Sequence, residues 1–261
     1  MVVNLNNLLP DLLAFVWPMI RLSGLLMVMP AIASSFVPVQ ARVLIAIGLG
    51  LMVTPLVQTP DLSQFPNLEI ALLIGRELLL GLTMGFALKL VLDAVLLGGQ
   101  SIAMSMGLGF AVFIDRARGV NVPVLGQFFL VLGTLIFLAL DGHLHAIELL
   151  VKSFHAIPIG SQTSSQLVVS ELLAFSGIVF SGAVKIALPA VTALLVVNIA
   201  FGVMSRAAPT LNLFAVGFPV SLLFGVIAVM ISLEGFSGTF AGLVQSALVL
   251  LSSIASGEVF S

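Results

Sequence analysis

Six apolar runs, at roughly residues 12–33, 43–57, 70–98, 124–151, 170–205 and 213–256, decide what this chain can fold into. Charged residues make up only 8% of its 261 residues and hydrophobic ones 60%. A soluble domain carries about 25% charged residues to cover its surface. This chain has too few to cover one, so its solvent is lipid, other protein, or both. Crossing a hydrocarbon core takes about 20 apolar helical residues, because each backbone polar group must find its partner inside the segment. The runs therefore read as helices, and the fold class as an all-α membrane-type protein. The second run is short. The third, about 29 residues at 1.5 Å each, would reach about 44 Å, more than a perpendicular crossing needs. Pro189 and Pro219 lie inside or near the longest runs and are expected to kink or restart them. Helices of such uneven length need protein around them, which points to an assembly.

Polar connections at 34–40, 58–67, 155–166 and 205–212, together with a central stretch at 98–123, join the runs into three consecutive kinked helical hairpins, about six long helices in all. Arg42, Arg116, Arg118 and Arg206 fall at alternate connections, whereas 58–67 carries Asp61 and no basic residue. The positive-inside rule then places both termini outside, with Lys152 the one dissenter. The amino-terminal "MVVNLNNLLPDLL" has no Lys or Arg before Arg21. A cleavable signal peptide needs a positive n-region, so the first run is expected to be retained structure. Cysteine is absent, which excludes disulfides, Cys-ligated zinc and thiol catalysis. Nine Lys and Arg are scattered without a basic cluster, which disfavours nucleic-acid binding.

Within the third run, Glu77, Gly81, Gly85, Lys89 and Asp93 stand four residues apart. Residues at i and i+4 share a helix face, so these five form one slowly winding ridge. Lys89 and Asp93 are spaced to pair, and Gly81–Gly85 is spaced to admit a second backbone. An intramembrane charge can mark an ion pathway; the adjacent glycines favour a neutralised pair on a packing face. In the sixth run, Ser221, Gly225, Ala228, Ser232, Gly235, Thr239, Gly242 and Ser246 follow the α-helical period. This uniformly small stripe suits close helix packing.

Candidate active sites do not assemble. "GFSG" at 235–238 has the Gly-x-Ser-Gly form of intramembrane serine proteases, but His143, His145 and His155 all precede the serine, against that family's order. The small stripe explains those residues better. "HLH" at 143–145 lacks the partners of a zinc site. "GLGF" lacks the third glycine and the strand–helix setting of a nucleotide loop. No enzyme activity, metal or cofactor is expected.

The central stretch "GGQSIAMSMGLGFAVFIDRARGVNVP" combines glycines, methionines and phenylalanines with a charged end. Together with "NVPVLGQ" (121–127), "DGHLHAIELLVKSFHAIPIG" (141–160), "NIAFGVMSRAAPTLNLFAVGFP" (198–219) and "FVWPMIRLSGLLMVMP" (15–30), it resembles the FliR/SctT family of type III export-gate subunits. The resemblance covers nearly the whole chain, with Arg206, Ala208, Pro209, Gly217, Phe218 and Pro219 its most specific block. It implies one export-gate domain over 1–261, with a FliP-like part at about 1–165 and a FliQ-like part at about 166–261. It implies FliP, FliQ and FlhB homologues as partners and unfolded proteins as substrates. The implied place is the flagellar basal body at the bacterial inner membrane, with helices raised above the bilayer plane. By position, Met104, Met106, Gly107, Gly109, Phe110, Phe113, Asp115, Arg116 and Arg118 match the family's pore-closing plug. Arg116 departs from the proline common there, which leaves the local turn open. The alternatives are a virulence-type secretion subunit, or an autonomous transporter coupled through Lys89–Asp93; the latter predicts an internal repeat that the chain does not display.

Single cysteines introduced at Ser63 and Ser164 are expected to react with an impermeant thiol reagent applied from outside, and one at Thr210 to stay unlabelled. Labelling of intact cells against opened ones reads this. Strong outside labelling at Thr210 with none at Ser63 would invert the topology.

Overall fold

The computed structural model describes residues 5–34, 37–57, 66–109, 124–161, 165–207 and 213–257. Among the described residues the regular structure is helical throughout. The helices are α1 (Leu5–Val28), α2 (Val39–Val53, continued by a 3-10 turn at Thr54–Leu56), α3 (Asn67–Ser105), α4 (Val124–Ala139), α5 (Gly142–Ala156), α6 (Ser165–Phe175), α7 (Ile178–Ala207) and α8 (Leu213–Ser256). Among the described residues, four stretches are long and apolar enough to cross a membrane: 39–56, 68–105, 167–207 and 217–256. The α4–α5 pair would make a fifth if taken as one bent span. The all-α membrane-type reading therefore holds.

The helices break elsewhere than the prolines suggest. α7 runs on through Pro189 and α8 through Pro219. The fourth run instead bends by 61° between α4 and α5. There Asp141 takes a left-handed φ of 53° and its carbonyl accepts from the amides of Leu144 and His145. The fifth run breaks between Phe175 and Ile178, where the Ser176 amide still donates to Leu172 and Leu173. A proline removes one amide donor and crowds one turn, which a long packed helix can absorb; a left-handed residue ends the ladder outright. α3 and α8, with 39 and 44 residues, extend about 58 and 66 Å at 1.5 Å per residue, about twice the hydrocarbon thickness.

Contacts group the chain into two units. One holds α1, α2, α3 up to Leu90, α5, α6 and the end of α8 from Val244. Its packing rests on glycine. A Cβ added at Gly81 would collide with the Arg21 carbonyl oxygen. One at Gly85 would lie 2.7 Å from that of Leu25, and one at Gly24 would lie 2.7 Å from that of Leu78. The backbones of α1 and α3 thus touch without side chains between them, and Leu22, Leu25, Met29 and Met84 seal the flanks, fully buried. α2 joins through Gly50, which receives the side chains of Met19 and Phe15.

The other unit holds α3 from Val91, α4 up to Phe137, α7, and α8 up to Leu243. Gly99 of α3 meets Gly126 of α4 backbone to backbone, and Gly182 of α7 lies on Ala94 and Leu243. Phe129 of α4 packs edge-on to Phe236 of α8 at 5.2 Å, and Phe236 stacks on Phe240 at 5.8 Å.

Gly81→Ala is expected to lower the thermal stability of the purified chain, because only backbone movement can relieve the clash; overpacking typically costs about 1–3 kcal/mol. Gly75→Ala is the control. No heavy atom lies within 4 Å of its added Cβ, and replacing an open helical glycine gains up to about 1 kcal/mol. Equal melting temperatures for the two variants would refute the close α1–α3 contact.

Candidate functional site

α1 carries one charged side chain toward α3. Arg21 is fully buried and Glu77 is 3% exposed. Arg21 Nε donates to Glu77 Oε2 at 2.7 Å and Nη2 to Oε1 at 3.0 Å, a two-point fork. Nη1 donates to Ser153 Oγ at 2.9 Å, and Nη2 also to the Ile157 carbonyl at 3.0 Å. The Phe154 ring lies 4.2 Å from Arg21 Cζ. Ile157 caps the end of α5, where carbonyls lack helical partners and the helix dipole is negative, so a cation there gains twice. The Ser153 hydroxyl in turn donates to the Leu150 carbonyl oxygen at 2.6 Å. Arg21 therefore ties α1, α3 and α5 together.

The glycines make this pairing possible. Arg21 contributes the carbonyl lying on Gly81, one turn along α3 from Glu77. With any side chain at 81 the helices would separate and the fork would lengthen. Planarity and five fixed donors suit arginine to such a bidentate, stacked setting, where lysine would offer a point charge. The predicted ridge thus divides by use. Glu77, Gly81 and Gly85 face α1; Lys89 is exposed with its Nζ 5.8 Å from the Phe86 ring centroid, and Asp93 is half-buried. Sequence reasoning missed Arg21 as a partner, counting it only as the first basic residue. A lone arginine within an apolar run demands a buried acid, and that rule would have directed attention to Glu77.

The central stretch is described as far as Gly109. α3 ends in a Schellman pattern: Leu108 N donates to Ala103 O and Gly107 N to Met104 O, each at 3.1 Å, with Gly107 at φ 83°. Glycine is required there because a Cβ would strain that left-handed backbone. Met106 is buried, and a Cβ on Gly225 of α8 would come within 2.5 Å of its side chain. Gly107 faces Phe218 of α8, Gly109 lies against the Met104 sulfur, and Met104 itself is exposed. Asn198 Nδ2 of α7 reaches Ser105 O at 3.5 Å. The root of the stretch is thereby fixed to α7 and α8. Phe110, Phe113, Asp115, Arg116 and Arg118 lie outside the described residues.

The predicted stripe on α8 does not stay on one side. Ser221, Ala228 and Ser232 are buried and Gly225 receives Met106, but Gly235 and Gly242 are exposed with nothing within 4 Å of an added Cβ. The inward face continues instead through Phe236, Phe240, Leu243 and Ala247. A three-residue step from Ser232 to Gly235 falls just short of a helical turn, whereas the four-residue step to Phe236 keeps the face inward. His143 and His145 lie beside the α4–α5 bend, where His145 Nδ1 is 3.0 Å from Asp141 O. Among the described residues no three His, Asp or Glu side chains converge on a metal site.

The profile of the family described as "Bacterial export proteins, family 1" matches residues 12–247. The flagellar biosynthetic protein FliR of Escherichia coli K12 is 32% identical over 212 residues, covering 81% of each chain. That of Pectobacterium carotovorum is 34% identical with the same coverage, and that of Aquifex aeolicus 32% identical with 82% coverage of each.

Glu77→Ala is expected to destabilise the purified chain by about 3–5 kcal/mol, since it leaves a buried guanidinium without its counter-charge. Arg21→Lys, which keeps the charge but loses the fork, should also destabilise. Joint replacement by Arg21→Met and Glu77→Leu should recover most of the loss. Thermal unfolding of the four proteins in one detergent checks this, and a double variant no more stable than Glu77→Ala would show that the two side chains are not coupled.

Proposed function

Because the chain belongs to the bacterial export proteins of family 1, we propose that it is a core subunit of the flagellar type III export gate, building the protein-conducting channel with FliP and FliQ homologues beside FlhB. At the coarser level, it is a bacterial inner-membrane protein of flagellar biosynthesis and protein export. Its part in the gate is to form walls and a closure, and unfolded export substrates pass along it. The observation that carries this reading is the extent of the match, which runs from residue 12 to residue 247 and so includes every helix that packs on Arg21 or on the root of the central stretch. The outward faces of α7 and α8 support it. Leu195, Val196, Val203, Leu223 and Met230 are each more than half exposed, an apolar surface larger than a lone water-facing helix pair would carry. In this reading residues 1–165 form a FliP-like part and 166–261 a FliQ-like part.

The segment from Met104 to Arg118 serves as the pore-closing plug. Its described end supports that role, because Met106, Gly107 and Ser105 are held by α7 and α8 while Met104 faces outward. A closure needs such a fixed root and a deformable apolar body, which methionine and phenylalanine supply. Joint Phe110→Ala and Phe113→Ala replacement is expected to leave complex recovery unchanged while raising leakage of ions and small molecules. Burial of one such side chain is worth roughly 1.5–3 kcal/mol, so removing two would shift a balanced gate strongly toward open. Permeability and complex yield measured in one strain check this. Misassembly without leakage would assign the segment to packing alone, and a sealed membrane with full yield would defeat the plug.

A further inference from the structure

Glu234 is the one charged residue of the 44-residue helix α8, and it stands near that helix's midpoint. It is exposed, and among the described residues no hydrogen bond or ion pair reaches it. We propose that Glu234 is the recognition charge of a docking face on α8, and that the occupant is an apolar helix of another subunit bearing a lysine or arginine. The proposal rests on the export-gate reading and names one contact within it.

The surroundings of Glu234 select the occupant. One and two turns before it along α8, Ile227, Met230 and Ile231 are exposed, the last two at 65%. Such a surface is poorly suited to an aqueous lumen, because water would cover large apolar side chains on every approach to the carboxylate. Lipid suits those side chains but not the charge, which in hydrocarbon needs a partner or a proton. Beyond Glu234, Gly235 and Gly238 add no side chain, and nothing lies within 4 Å of where their Cβ atoms would be. The carboxylate is therefore flanked on its own face by apolar bulk on one side and by the small residues Ser237 and Gly238 on the other. A neighbouring apolar helix satisfies both flanks, and a cation on it answers the charge. Packed between two helices and away from water, such a pair discriminates strongly among partners, since a neutral or acidic residue opposite would strand the carboxylate.

The test uses the full chain in cells that also make its gate subunits. With the photoreactive residue p-benzoylphenylalanine in place of Met230, light should join the chain to one protein, at a peptide with a lysine or arginine within one helical turn. Glu234→Lys should cut recovery of the complex by about tenfold or more, and reversal of that partner residue to glutamate should restore it. Glu234→Gln keeps size and loses charge; recovery should fall by less, while the melting temperature of the isolated chain stays unchanged because the exposed carboxylate has no hydrogen bond or ion pair to another described residue. Adducts to lipid, or to a peptide without a basic residue in reach, would overturn the proposal. So would undiminished recovery of either variant. A cysteine at 234 that reacts with an aqueous maleimide as fast in the complex as in the isolated chain would place the residue in a lumen instead. Should the unaltered chain recover no FliP or FliQ homologue, the export-gate reading fails, while the Met230 adduct still judges the docking face.

Discussion

The α1–α3 contact depends on a carbonyl oxygen resting on bare backbone. Gly81 leaves no atom between α3 and the Arg21 carbonyl, and that closeness lets the Arg21 side chain of the same residue reach Glu77 with both ends of its fork. Burying two charges costs several kcal/mol per ion before any attraction is counted. Here the cost is offset through geometry: two carboxylate oxygens, a hydroxyl, a helix-end carbonyl and an aromatic face surround one guanidinium. A hydrophobic pair of equal volume could be as stable. It would not select one register, because apolar helices slide on one another at little cost, whereas a four-residue slip along α3 would leave Arg21 facing an uncharged residue. Register is the property a chain with so few polar landmarks most needs.

The same economy appears at the contact between α3 and α4, where Gly99 meets Gly126, and at Gly182 against Ala94 and Leu243. In an apolar solvent no hydrophobic force drives helices together, so the contact must come from dispersion at short range. Glycine shortens the range. The aromatic ladder Phe129–Phe236–Phe240 then fills the space where the helices diverge. Neither device needs a charge, which leaves the few charges of the chain available for placement.

How much of this was legible in the residues follows from their periodicity. Helix class came from six apolar runs, though the fourth and fifth each divide and the described residues hold eight α-helices; the four-residue spacing of Glu77, Gly81 and Gly85 marked a face that another backbone could approach. What the spacing could not say was whose backbone it would be: a stripe specifies a contact but carries no address. The breaks were misjudged for a related reason. Proline is visible in a sequence and a left-handed φ is not, so Pro189 and Pro219 drew attention while Asp141 and the 176–177 break did not. On α8 the small residues continued past the point where the helix had turned them outward, and only the large residues between them, Phe236 and Phe240, marked the inward side. Met104, Met106, Gly107 and Gly109 were grouped only through resemblance; that Met106 seats under Gly225 was not legible, because the two are distant in the chain.

Two glutamates in apolar helices separate the kinds of work a charge can do here. Glu77 accepts both arms of an arginine and is sealed from solvent. A carboxylate that relays protons must trade them with water and must be able to exchange its partner, and Glu77 is arranged to do neither. That weighs against a pump-like use of the Glu77 site and for a fixed scaffold. Glu234 has the opposite setting, exposed and the one charged residue of its helix. An internal pair fixes the chain to itself, which an outward charge does not do. In the export-gate reading proposed above both are needed, and the scaffold has to be settled first, since an outward charge can choose a partner only when the helix beneath it already has its register.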